Sequence, residues 1–376
     1  MKIFRSVLQE GKWEPALPET NDAQLILAFG SPKLAQNTAY RNALKASFPQ
    51  ANVIGCSTSG EIHDDLILDD SFCISAITWE KTQFEIHSGN IGNYNSSQEA
   101  GFELAAQLKP EQLKHVLVFS DGQLVNGSAL LHGLQEALPE SVTITGGLAG
   151  DGDRFQETWV WHNDKVETGL IVVCGLYGEA LKVGHGCMGG WDSFGPQRHI
   201  TKAEGNILYE LDGNSALELY KSYLGEHAEK LPSAALLFPL HVSKERDGPG
   251  VVRTILNVDE KEQSMIFAGD MQQGAYAQLM NANFDRLIDG ANEAASNALV
   301  KIEGHQASLA LLISCVGRRI VLNQRAEEEL EAAQEALHEN TPMCGFYSYG
   351  EISPLQHGEG CSLHNQTMTI TTFSEG

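Results

Sequence analysis

Two short phrases of this 376-residue chain carry chemically capable residue types at a repeated spacing. Gly55-Cys-Ser-Thr-Ser-Gly60-Glu61-Ile62 stands near the front, and Gly345-Phe-Tyr-Ser-Tyr-Gly350-Glu351-Ile352 stands near the end. Both read G-x4-G-E-I. A looser version, Gly146-Gly147-Leu-Ala-Gly150-Asp151-Gly152, lies between them. Glycine at each end lets the chain take positive φ and approach a ligand or another backbone closely. A glycine loop after a strand is also where α/β sheets often place ligands. Glu61 or Glu351 could hold a ligand ammonium or a metal, or bond its own loop. Two readings follow. Gly55, Ser57, Gly60, Glu61, Gly146, Gly147, Gly150, Gly350 and Glu351 contact a ligand, or they are structural corners of a duplicated fold.

The spacing excludes several familiar loops. Gly147-x-x-Gly150-x-Gly152 reverses the dinucleotide fingerprint and leads toward a strand, and no G-x4-G-K-[ST] occurs. Ser57, Ser59 and Ser348 all miss the Gly-x-Ser-x-Gly spacing of a hydrolase elbow. There is no H-E-x-x-H, calcium-loop or haem-attachment motif. The aspartates around Asp64, Asp70 and Asp153 read as solvated loops. Of 13 histidines, two have unusual settings. His185 stands between glycines beside Cys187, and His364 lies in Cys361-Ser-Leu-His364-Asn365 before the last apolar run. Such an imidazole can ligate haem iron or simply bond a turn.

Several elements must position these residues. Residues 25–30 read as a strand, 33–47 as a helix and 51–54 as a second strand before the first bend. The pattern restarts with a strand at 115–119, a helix at 127–138 and a strand at 141–145. It returns again at 309–314, 325–338 and 342–344. Phe29 to Gly60 and Phe119 to Gly150 are both 31 positions, which marks a repeated unit. Antiparallel pairs are expected at 72–79 with 84–88, and at 157–161 with 168–177. A loop is expected over 186–200, strands at 233–239 and 251–258, and a long helix over 274–299. The fold class is α/β, with mixed sheets, repeated β-α-β-glycine-bend units and antiparallel strands. We divide it into two domains, 1–195 and 196–376.

Composition narrows function further. Hydrophobic residues make 42% and charged residues 20% of the chain, enough to build a core. A net charge of −24 argues against nucleic-acid partners and anionic membranes. The seven cysteines form no C-x-x-C pair, and several sit in apolar runs. That pattern suits free thiols in a reducing compartment. With no signal peptide and no spanning run, a cytoplasmic location is expected.

The chain resembles the FIST sensory proteins. The resemblance rests on Gly55-Cys-Ser-Thr-Ser-Gly-Glu, Gly146-Gly-Leu-Ala-Gly-Asp-Gly and Ile200-Thr-Lys-Ala-Glu-Gly-Asn with Tyr209-Glu-Leu-Asp-Gly. Tyr349-Gly-Glu-Ile and His364-Asn365-Gln-Thr complete it. It implies that the two domains are of FIST type. It also implies a non-enzymatic input module that binds a small molecule and acts on a separate partner, which the resemblance suggests is a histidine kinase. Asn365 joins the ligand-contact candidates through it. A free-standing branch of the family binds haem and senses nitric oxide. The loop Gly189-Gly-Trp-Asp-Ser-Phe-Gly-Pro-Gln-Arg198 is similar to that branch, with His364 or His185 as the iron ligand. An amino acid or other metabolite is the alternative ligand. An α/β enzyme using Glu61, Glu351, Cys56 and His364 is the competing class.

Overall fold

The computed structural model describes residues 1–231, 233–302, 304–338, 340–354 and 360–376. Each of the three repeated units builds a parallel strand pair. These are Leu25–Gly30 with Asn52–Ser57, Leu113–Ser120 with Thr143–Leu148, and Leu309–Cys315 with Met343–Ser348. Parallel neighbours need a crossover, and a helix supplies each one. The helices are Thr38–Ser47, Gly127–Ala137 and Ala326–Leu337. Asn37 and Asn126 cap the first two, each accepting a backbone N–H with its side-chain oxygen.

The glycine bend follows the second strand of each pair, and there the chain leaves its own sheet. The hairpin Glu61–His63 with Leu66–Leu68 joins the third sheet, where Glu61 faces Phe346. Val160–His162 with Lys165–Glu167 joins the first sheet, where Trp161 faces Gly55. Gly350–Pro354 with Cys361–His364 joins the second, where Ile352 faces Gly146. The exchange is cyclic, so each unit lends a hairpin to another. The chain then returns to its own sheet through Phe72–Thr78, Leu170–Tyr177 or Met368–Glu375. An outer strand completes each sheet: Lys2–Gln9, Gln83–Asn90 or Leu181–Met188.

This topology corrects several expectations. Residues 72–78 and 83–90 are not partners, because they belong to different sheets. Nor do 157–161 and 168–177 pair. Val160–His162 turns back on Lys165–Glu167, and Leu170–Tyr177 lies in another sheet. Alternation marks a strand but does not say which strand lies beside it. The expected helix over 274–299 divides into the strand Tyr276–Ala282 and the helix Phe284–Lys301, which Asn283 caps. Residues 233–237 are a 3-10 turn rather than a strand. The expected loop at 186–200 is mostly the long strand Trp191–Glu204.

The inner faces of the three sheets meet in one apolar core. Phe29, Phe119 and Phe346 lie at its centre, with ring centroids 4.7 to 6.1 Å apart. Helices cover the outer faces. Ser97–Ala105 and Gly127–Ala137 lie on the second sheet, and Phe284–Lys301 and Ala326–Leu337 on the third. The chain from Trp191 to Ala282 forms an inserted eight-stranded sheet with the helix Ala216–Leu224. It has its own core around Leu208, Leu217, Met265 and Phe267. The boundary at 195/196 lies inside its first strand. No disulfide joins the cysteines among the described residues, and six of the seven are buried.

Candidate functional site

The bends answer first to the demands of the backbone. A Cβ on Gly55, Gly146 or Gly345 would lie 1.7, 1.9 or 1.7 Å from the carbonyl oxygen of Ala28, Val118 or Leu312. At each of these positions the partner strand therefore occupies the space of a side chain. The bends also bond one another. Ser57 Oγ donates to the Gly150 carbonyl at 2.8 Å, and Gly150 N–H donates to the Ser57 carbonyl at 2.9 Å. Ser59 N–H donates to Tyr347 O at 2.8 Å, and Tyr347 N–H donates to Gly60 O at 2.9 Å. Tyr349 N–H reaches Leu148 O at 3.3 Å. Gly147 faces Ile313 and the Gly350 carbonyl, while Gly350 faces Leu148 and Leu363. Beside Gly60 lies the Arg319 guanidinium, which donates to Ser59 O at 2.6 Å and pairs with Asp69.

Glu61 and Glu351 are equivalent and buried. Glu61 accepts from the Thr58 hydroxyl at 2.5 Å, and from the Ser71 hydroxyl and N–H. Glu351 accepts from the Ser348 hydroxyl at 2.7 Å, and from the Thr367 hydroxyl and N–H. Burial pushes Glu61 up to about 7 and Glu351 up to about 8, against the pull of these hydrogen bonds. Both carboxyls fasten their own loops, and neither lines a described cavity. Burial also pushes the Cys56 thiol well above its ordinary value, which disfavours the thiolate.

The third corner, Asp151, does more. Its carboxylate accepts the N–H groups of Phe155, Gln156 and Glu157 and the hydroxyl of Tyr349. These bonds fix the loop after Gly152 and hold Phe155 flat against Tyr349, with centroids 4.4 Å apart and planes 15° apart. The stacked pair borders a cavity of about 330 Å³. A second wall is the turn Gly122–Gly127, which buried Asp121 shapes by accepting from Gln123 and Leu124 N–H. The third wall is the inserted sheet, through Leu256 and Phe267–Asp270. Leu124, Phe155 and Leu256 there keep 59%, 36% and 41% of their surface exposed. Polar links span the cleft. Asn126 Nδ2 donates to Asp270 at 3.1 Å, and buried Arg253 donates to the Leu363 carbonyl at 2.8 Å.

This cavity is within the size range of small-molecule sites, roughly 300–1,000 Å³. It gathers residues from two units and the insertion. Of the sequence-derived candidates, none lines it directly, although Gly150 and Gly350 each adjoin a residue that shapes it, Asp151 and Tyr349. Sequence reasoning missed Leu124, Asn126, Phe155 and Tyr349. Tyr349 stood inside the repeated phrase, and Phe155 was a lone aromatic in an acidic glycine loop. The wall from the insertion left no signal in the sequence.

The two histidines fit haem poorly. His364 is buried, with Nε2 3.1 Å from the Ser353 carbonyl, and it lines none of the described cavities. His185 has Lys301 Nζ 3.1 Å from both ring nitrogens. The cavity beside it measures about 250 Å³, below the usual range even for drug-sized ligands. Burial and the Lys301 charge press the His185 pKa down to about 4, and burial does the same to His364. No group of three or more potential metal ligands occurs among the described residues. Asn365 is fully buried, and neither end of its amide has a partner within the described residues. Such an amide calls for an ordered water or a ligand atom.

The FIST N domain profile matches residues 24–214, and the FIST C domain profile matches residues 216–354. An uncharacterized protein of Methanocaldococcus jannaschii is 25% identical over 312 residues, covering 76% of this chain. The chain spans 59% of that relative's length. A chorismatase crystal structure aligns over 99% of this chain and 98% of its own, with 9% identity and a TM-score of 0.36. A cyanuric acid hydrolase from A. caulinodans aligns over 78% and 68%, with 8% identity and a TM-score of 0.23. Neither likeness is close enough to carry an argument. Among the described residues, no helix is long and apolar enough to cross a membrane.

Proposed function

We propose, for a chain that belongs to the FIST family through both its N and C domains, that the ligand lies between the three-unit body and the inserted sheet. FIST domains are sensor domains of signal transduction that bind small ligands. The observation that carries this reading is the cavity closed by Tyr349 and Phe155 on one side and Leu256 and Ala268 on the other. A molecule held there touches both bodies at once. It therefore favours one relative placement of them, which is what a sensor needs in order to transmit binding. The stacked aromatic wall suits a flat or partly apolar metabolite. The output would act on a separate partner, which the resemblance suggests is a histidine kinase.

A metabolite panel followed by thermal unfolding tests the site. A ligand that stabilises the native chain should lose its effect in Ala268→Trp, which fills the cavity. It should be weakened in Tyr349→Ala, which removes the platform. Unchanged binding in both variants would overturn the assignment. Addition of haem provides the second arm. A stoichiometric Soret band that shifts with nitric oxide and is lost in His185→Ala or His364→Ala would favour the haem reading instead. Reconstitution with a candidate kinase, read as a ligand-dependent change in autophosphorylation, tests the output.

A further inference from the structure

The outer faces of the three sheets differ: a pair of helices covers each of the second and third, and the helix Thr38–Ser47 lies on the first. In the second unit the crossover helix rests on the visiting hairpin. Gln135 Nε2 donates to the Cys361 carbonyl at 3.2 Å, and the Leu363 side chain fits against Gly127. In the third unit Leu330 packs in one cluster with Ile62 and Ile67 of the visiting hairpin. In the first unit Leu44 and Phe48 of the helix Thr38–Ser47 share a cluster with Trp161 of the visiting hairpin, and a cavity of about 320 Å³ opens beside them. Leu44, Phe48, Val53, Phe72 and Trp161 wall it.

The residues at this cavity depart from the repeat as well. Ile352 faces Gly146 and Ile62 faces Gly345, but Trp161 faces Gly55. Trp161 is 2% exposed, and its Nε1 donor has no acceptor within the described residues. Two cations stand at the rim. Lys45 Nζ pairs with the Asp164 carboxylate at 3.2 Å, both groups largely exposed. Arg41 makes one hydrogen bond, 3.4 Å long, to the Asp164 backbone carbonyl. It joins none of the ion pairs among the described residues. On a chain of net charge −24, this cavity with its apolar floor thus sets two cations against the one carboxylate of Asp164.

We propose that this cavity is a second binding site and takes a small apolar carboxylate. The apolar body would lie against Phe48, Phe72 and Trp161, and the carboxylate would meet the Arg41 guanidinium, a strong charge-assisted pairing. The site is separate from the interdomain cleft and does not depend on it.

Isothermal titration with phenylacetate as the probe tests the proposal, with phenylacetamide as its uncharged counterpart. One molecule of phenylacetate should bind per chain. Its affinity should fall about tenfold in Arg41→Gln, the scale of one charge-assisted hydrogen bond, and about as much for the amide. Ala51→Phe, which fills the cavity, should abolish binding, while Ala268→Trp in the cleft should leave it intact. No binding at millimolar phenylacetate, equal affinity for acid and amide, or unchanged affinity in Arg41→Gln would each overturn the proposal. Arg41 is a surface residue, so that variant decides the matter even if Ala51→Phe folds poorly.

Discussion

At the scale of single residues, the repeated phrase divides into parts with different duties. Its first glycine is dictated by sterics. Any side chain at Gly55 would overlap the Ala28 carbonyl, and Gly146 and Gly345 meet the same obstacle. Gly55→Ala is expected to cost about 3 kcal/mol or more, the range of severe backbone and overpacking changes. Urea unfolding measures it, and a loss below about 1 kcal/mol would contradict the packing described. The glutamate at the phrase's end is a titrating fastener. Burial raises Glu351 from 4.5 to about 8 and Glu61 from 4.5 to about 7. The folded chain therefore holds these protons more tightly than the unfolded chain does. Their contribution to stability is fully present below the unfolded value of 4.5 and is lost as pH rises through 7 and 8. Glu351→Gln removes the titration. It should resemble the native chain near pH 5 and exceed its stability near pH 9 by about 2–4 kcal/mol. Identical pH dependence in the two proteins would refute this account.

At the scale of elements, the third unit carries a lock that the others lack. Arg318 is fully buried and pairs with Glu329 at 2.7 Å. It also donates to the carbonyls of Gly189 and Leu287. One guanidinium thereby fastens two helices and the start of the insertion. Arg318→Ala leaves Glu329 buried without its cation, so a loss of about 3–5 kcal/mol is expected. Guanidinium denaturation measures it, and Glu329→Gln in the same background should recover part of the loss. The elements were partly legible beforehand. All three parallel strand pairs and their crossover helices follow from apolar runs, helical spacing and glycine punctuation. The expected helix over 33–47 was nearly right, but Asn37 restarts it after Pro32–Ala35. The stretch 274–299 misled because Tyr276–Ala282 also fits helical spacing, and its pairing with Trp191–Glu204 decides the matter.

At the scale of the whole molecule, few polar links among the described residues span the cleft, so small changes there should open the structure. Asn126→Asp sets a carboxylate against Asp270, where the amide now donates at 3.1 Å. Like charges at that spacing repel. Faster amide exchange is expected at 255–270 and 122–127, with the central strands unchanged. Exchange confined to other regions would contradict the placement of this link at the cleft. The same variant should weaken any ligand that bridges the cleft.

The sequence by itself determined the repeated unit, read at least three times. Glycine, apolar periodicity and the 31-residue spacing are local properties, and local sterics act on them directly. It also determined that no common phosphate, nucleophile or metal loop is present. Only the tertiary structure decided which sheet each hairpin joins. A strand's alternation specifies a buried face and not the identity of its neighbour. The cyclic exchange joins the glycine bends to one another through mutual hydrogen bonds. It also moved the candidate site outward, to the residues that Asp151 and Tyr349 hold against the insertion. That site joins residues more than 140 positions apart, such as Asn126 and Asp270, and only folding brings them together.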